Sequence, residues 1–129
     1  MLTCPGRAFQ VICPTDAPDA GDCPTSARCY GVFSTSPFDS GTNVKLSVDG
    51  GKDWTSVPSG SSSIREDLAC PAAQTCYTVG DHGTITRSTN GTAFVAERSP
   101  TVANLYGITC TDTNVCYAVG DNGTILVRR

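Results

Sequence analysis

The chain has 129 residues, a net charge of −3 and eight cysteines, which suits one domain. Its seven arginines and two lysines are scattered apart from Arg128-Arg129, so there is no basic footprint for nucleic acid or an anionic membrane surface. No apolar run approaches membrane-spanning length, and no stretch keeps a helical apolar period, so strands and turns dominate.

In chain order, Leu2-Thr3-Cys4 precedes the turn Pro5-Gly6-Arg7. A first unit is expected to place strand A at 9–13, strand B at 29–33, strand C at 43–47 and strand D at 54–57. Insertions at 16–26 and 34–42 separate its first three strands. A second unit has A at 67–70, B at 76–79, C at 84–88 and D at 94–97. A third has A at 106–110, B at 116–119 and C at 124–128. The turns Asp81-His82-Gly83 and Asp121-Asn122-Gly123 carry hairpin chemistry, with glycine free to take positive φ.

These units are copies. Leu68-Ala69-Cys70, five residues, then Cys76-Tyr77-Thr78-Val79-Gly80-Asp81 returns as Ile108-Thr109-Cys110, five residues, then Cys116-Tyr117-Ala118-Val119-Gly120-Asp121. A looser copy runs from Val11-Ile12-Cys13 to Cys29-Tyr30-Gly31-Val32. Repeats of this length built from short strands imply propeller blades. The expected fold is all-β, with three four-stranded antiparallel blades at about 8–58, 64–98 and 105–129, the last incomplete.

Ser47-Val48-Asp49-Gly50-Gly51-Lys52-Asp53-Trp54 resembles the Asp-box (BNR) hairpin of sialidase-type β-propellers. Ser88-Thr89-Asn90-Gly91-Thr92-Ala93-Phe94 is a shorter, degenerate form. The C-Y-x-V-G-[DN]-x-G-T-I run resembles the repeats of photosystem II assembly-factor-like propellers, including cysteine-bearing bacterial relatives. The Asp-box residues Ser47, Asp49, Gly51, Trp54, Ser88, Asn90 and Phe94 read as structural. A short acceptor side chain caps the turn, and the aromatic packs between blades. One carboxylate per turn falls short of the oxygens calcium needs, so no metal and no cofactor is expected.

The even cysteine count reads as a disulfide framework, which places the mature protein in an oxidising, extracellular setting. No signal peptide is visible at Met1. Aligning the copies pairs Cys13–Cys29, Cys70–Cys76 and Cys110–Cys116, leaving Cys4–Cys23. The competing pair Cys23–Cys29 has the same five-residue gap as the other copies.

Catalytic candidates are sparse. The sialidase resemblance implies an arginine cluster, a Tyr–Glu pair and an acid. Arg7, Arg28, Arg65, Arg87 and Arg98 lie outside any motif, and Glu66 and Glu97 are the only glutamates. Tyr30, Tyr77 and Tyr117 recur at the repeat period and read as packing, while Tyr106 precedes the third strand A. His82 replaces Asn122 in a turn. Asn90 and Asn122 head Asn-Gly-Thr sequons, which matter only in a glycosylating host. No enzyme is expected.

The third copy stops where its Asp-box would begin, so its strand D is expected to be lacking. Three outcomes are open: an excised piece of a longer propeller, a ring closed with a second copy, or a head-to-tail filament. Residues 1–4, with Leu2 and Thr3, read as a strand donated to Thr124, Ile125, Leu126 and Val127 of a neighbour. The expected partner is therefore the chain itself, with a structural or assembly role. The alternative is a glycan- or protein-binding module using Phe38 and Asp39 in the second insertion. A sialidase-like hydrolase fragment stands third.

Overall fold

The computed structural model describes residues 20–34, 42–61, 63 and 65–129. Three antiparallel sheets follow one another along the chain. The first contains β1 (Ala20–Asp22), β2 (Cys29–Ser34), β3 (Thr42–Ser47) and β4 (Thr55–Val57), paired in that order. The second contains β5 (Arg65–Ala69), β6 (Cys76–Gly80), β7 (Ile85–Ser88) and β8 (Val95–Glu97), in the same order. The third has β9 (Leu105–Cys110), β10 (Cys116–Gly120) and β11 (Ile125–Arg128).

The first blade differs from expectation at its inner strand. Strand A was expected at 9–13, which lies outside the described residues. The strand that pairs with β2 is instead β1, inside the stretch read as an insertion. Its register matches the other blades: Asp22 faces Tyr30 as Ala69 faces Tyr77 and Thr109 faces Tyr117.

The disulfides follow that correction. Cys23 is joined to Cys29, Cys70 to Cys76 and Cys110 to Cys116, each with Cα atoms 4.0 Å apart. The expected pairs Cys13–Cys29 and Cys4–Cys23 are thereby corrected, and Cys4 and Cys13 themselves lie outside the described residues. The reason is geometric. Each five-residue turn ends in a rung where two opposed residues approach closely. Because β1 holds the ladder beside β2, the cysteine next to β1 is the one opposite Cys29.

The core lies between the sheets. Directly opposed residues share a face, so Tyr30 and Val32 point the same way as Leu46 and Val44. That face packs on Leu68, Cys70, Cys76 and Phe94 of the second blade. One blade on, Val79 packs on Leu105 and Ala118, flanked by Ile85, Ile108 and Leu126. Inner strands are tied across blades by carboxylates. Asp22 accepts from the Cys70 backbone N–H at 2.8 Å, and Asp67 from that of Ile108 at 3.0 Å. The link from blade one to blade two wraps around Arg65, whose buried guanidinium donates to the carbonyls of Ser59 and Ser61 at 2.8 Å and also to that of Ser63.

Two β-turns repeat one hydrogen-bond plan. In the first, Ser47 Oγ accepts from Gly51 N–H at 2.8 Å and donates to Asp49 Oδ1 at 2.8 Å. Asp49 Oδ1 also accepts from the N–H groups of Lys52 and Asp53, both at 3.0 Å. In the second, Ser88 Oγ accepts from Gly91 N–H at 3.0 Å, and Asn90 Oδ1 accepts from Thr92 at 2.9 Å and Ala93 at 3.2 Å. Asn therefore does the same turn-closing work as Asp.

A pH prediction follows from the first turn. The Asp53 N–H, then the Ser47 hydroxyl, hold the Asp49 carboxyl below the usual carboxylate range. A lowered folded pKa contributes stability above the unfolded pKa and loses it as pH falls through the folded value. Asp49→Asn keeps the acceptor and removes the charge. Melting temperatures of the native chain and this variant should differ above about pH 4 and converge below it. A constant difference at all pH values would show that the charge does not contribute.

Candidate functional site: the outer face of blade three

Tyr30, Tyr77 and Tyr117 occupy one position in three blades, and their surroundings change along the array. Tyr30 is fully buried; its hydroxyl donates to Ala73 O at 2.9 Å and accepts from Arg28 Nε at 2.6 Å. The Phe94 ring meets it edge-on at 6.3 Å. Tyr77 is 1% exposed and accepts from Arg128 Nε at 2.9 Å. Tyr117 is 39% exposed.

The rest of that face follows the same course. Val32 and Val79 are buried, whereas their equivalent Val119 is 47% exposed. On β10 and β11, Tyr117 faces Val127 and Val119 faces Ile125. These four residues form one apolar face turned to solvent, with Ile125 67% exposed. Leu126 points the other way, onto the core of the second interface. Among the described residues no strand pairs with the outer edge of β11.

A groove of about 400 Å³ runs beside this edge, between blades two and three. Tyr77, Ile85, Arg98, Ala118, Leu126 and Arg128 are among the residues lining it. Arg128 spans one wall: its guanidinium lies over the Tyr77 ring at 5.2 Å and pairs with Glu97.

The residues singled out for assembly thus divide. Ile125 and Val127 face outward and Leu126 inward, while Thr124 closes the preceding turn through its N–H to Asp121 O at 3.0 Å. Leu2, Thr3, Phe38, Asp39 and Arg7 lie outside the described residues. Two residues of the exposed face were missed as site residues: Tyr117, because the repeat made it read as packing, and Val119, which was read only as part of strand B. The signal was available: packing needs a following blade.

Among the described residues, Arg28, Arg65 and Arg87 are held by different partners, and Arg87 shares the Tyr77 ring with Arg128. Arg28 is held by Tyr30 and by Gly91 O at 2.9 Å, Arg65 by its own loop, and Arg87 lies over Tyr77 at 5.8 Å. His82 sits exposed at φ 60 in its turn, as Asn122 does at φ 59, and the His82 N–H donates to Asn104 Oδ1 at 2.8 Å. Among the described residues no three metal-ligating side chains come together. No helix there is long and apolar enough to cross a membrane.

No family model matches the chain, and no curated protein matches it in sequence. Solved structures do match in fold. YCF48 from Cyanidioschyzon merolae superposes with a TM-score of 0.68 at 15% identity, covering 98% of this chain and 43% of that one. YCF48 bound to D1 peptide superposes at 0.66 and 16% identity, covering 84% and 35%. The chain therefore spans less than half the length of either structure. The fold is propeller-type, with three blades described.

Proposed function

We propose that this chain is a partial β-propeller whose work is assembly: it associates with further copies of itself through the outer face and free edge of blade three. One observation carries this reading. The face that receives the next blade in blades one and two is intact in blade three, apolar, and exposed. Soluble domains seldom leave a flat apolar sheet face and a free β-edge together without a partner. The two turns with Ser, Asp or Asn, and an aromatic support the Asp-box resemblance. The three disulfides among the described residues support an extracellular site of action.

A second reading draws on the matched structure that holds a peptide. The same blade edge would then take a segment of a different protein. Oligomer size separates the two. Val119→Lys combined with Ile125→Lys places two charges on the exposed face and touches no residue of the buried core. The native chain should form dimers or longer assemblies by mass photometry, and the double variant should be monomeric with an unchanged melting temperature. A native chain that stays monomeric at every soluble concentration would remove the self-association reading.

A further inference from the structure

We propose that Asn122 is a site of spontaneous deamidation in the folded chain, while Asn90, which heads the same Asn-Gly-Thr sequence, is protected by the fold. The product is an aspartate or isoaspartate in the turn between β10 and β11. The chemistry needs no second copy.

The reaction is an intramolecular acyl transfer. The Gly123 backbone nitrogen attacks Asn122 Cγ. A bond forms between that nitrogen and Cγ, the Cγ–Nδ2 bond breaks, and ammonia leaves with the proton that the Gly123 nitrogen gives up. Water then opens the five-membered succinimide. Attack of water at Cγ yields aspartate. Attack at the main-chain carbonyl yields isoaspartate, in which the chain runs through the side chain. One water is consumed, one ammonia is released, and nothing is oxidised or reduced. Glycine suits the attacking position because it has no Cβ and turns freely.

Both asparagines are exposed, so the difference lies in the glycines and the turns around them. Gly91 is buried; its N–H donates to Ser88 Oγ at 3.0 Å, and its carbonyl accepts from Arg28 Nη2 at 2.9 Å. A Cβ on Gly91 would stand 2.5 Å from Arg28 Nη2 and 2.5 Å from the Tyr30 hydroxyl oxygen, so blade one lies directly against this peptide. The Asn90 side chain is held as well. Its Oδ1 accepts from Thr92 and Ala93 N–H and from the Ser88 hydroxyl at 3.3 Å. The nucleophile and the electrophile are thus both fixed.

The Asn122 turn has neither restraint. Gly123 is exposed, and a Cβ there would meet nothing within 4 Å. Among the described residues no partner holds the Asn122 side chain. In the equivalent turn of blade two, His82 N–H donates to Asn104 Oδ1 at 2.8 Å, and a Cβ on Gly83 would stand 1.9 Å from Thr101 O. Asn122 rests at φ 59 and ψ 31. Closing the succinimide ring requires ψ to rotate well away from that value, so the reaction proceeds from the opened turn. Opening breaks only local bonds, chiefly Gly120 N–H to Thr124 O and Thr124 N–H to Asp121 O, both 3.0 Å. Exposed turns open at a far lower free energy than packed ones, and the open fraction sets the rate. Conversion adds a negative charge to a chain of net charge −3. It does so in the turn that joins the strands carrying Val119 and Ile125.

The test uses the whole chain from a non-glycosylating host, kept dilute in mildly alkaline buffer, folded in one series and reduced in denaturant in the other. Trypsin cuts after Arg87, Arg98 and Arg128, so the two sites fall in separate peptides, 88–98 and 99–128. Fragment-ion spectra locate the converted asparagine, and enzymatic methylation detects isoaspartate. In the folded chain Asn122 should convert about tenfold or more faster than Asn90, and unfolding should bring the two rates close together. Equal rates in the folded chain, or faster loss of Asn90, would overturn the proposal. So would an Asn122 that stays intact when folded and reacts only when unfolded. A rate ratio that is the same folded and unfolded would assign the difference to neighbouring sequence and overturn the protection by blade one.

Discussion

Tyr30→Ala and Tyr77→Ala should each lower the unfolding free energy by about 3–5 kcal/mol, whereas Tyr117→Ala should lower it by less than about 1 kcal/mol. The three residues share a repeat position and a local sequence, so propensity predicts equal effects. Tertiary surroundings separate them. Truncating Tyr30 empties a buried site against Phe94, Leu68 and Cys76. It also leaves Arg28 Nε and the Ala73 carbonyl without a partner that each now has. Tyr30→Phe isolates the second contribution and should cost about 1–3 kcal/mol, the range for orphaning a buried polar group. At Tyr77 the loss includes the hydroxyl bond from Arg128 and the ring beneath two guanidinium groups. At Tyr117 the ring is already in contact with water. Denaturant unfolding under non-reducing conditions measures all three. Equal losses at the three sites would mean that the exposed face of blade three is covered even in the dilute chain. Association should respond in the opposite order, with Tyr117→Ala the most damaging of the three to self-contact.

Gly83→Ala should be among the most destabilising single-methyl changes in the chain, at about 3 kcal/mol, while Gly123→Ala should cost about 1 kcal/mol. The two glycines close equivalent one-turn 3₁₀ segments, Asp81–Gly83 and Asp121–Gly123, at φ +73 and +72. Both substitutions therefore carry the same left-handed strain. They differ in what the new methyl meets. At Gly83 a Cβ would stand 1.9 Å from Thr101 O and 2.8 Å from its carbonyl carbon, so backbone would have to move. At Gly123 it would meet nothing within 4 Å. The loop pressing on Gly83 is the link from blade two to blade three, so this contact helps set the angle between those blades. Melting temperatures of the two variants test the argument, which fails if the costs are alike.

Much of the architecture was legible because it is encoded over short distances. The Cys-x5-Cys spacing with Tyr after the second cysteine marks the inner hairpins of blades two and three. Ser47 and Asp49, or Ser88 and Asn90, mark the outer turns because a short acceptor two residues into a tight turn can reach the backbone N–H groups ahead of it. The 40-residue offset between Cys70 and Cys110 marks the stacking of like units. Each of these signals depends on residues that touch within one hairpin.

Only the tertiary structure decided which segment lies beside β2. Val11-Ile12-Cys13 is a short apolar run of the kind that suits a buried strand, and so are other stretches. An apolar run says that a strand is buried, and it does not say which neighbour it meets. Ala20-Gly21-Asp22 carries a weak strand pattern, yet it wins the edge because Gly21 lets it lie close. A Cβ there would stand 2.6 Å from the Tyr30 carbonyl oxygen. The disulfide partner of Cys29 changed with that choice. The fate of Tyr117 was hidden for the same reason. Its sequence context equals that of Tyr77, and burial depends on whether another sheet stands in front of it, a fact that no local pattern contains.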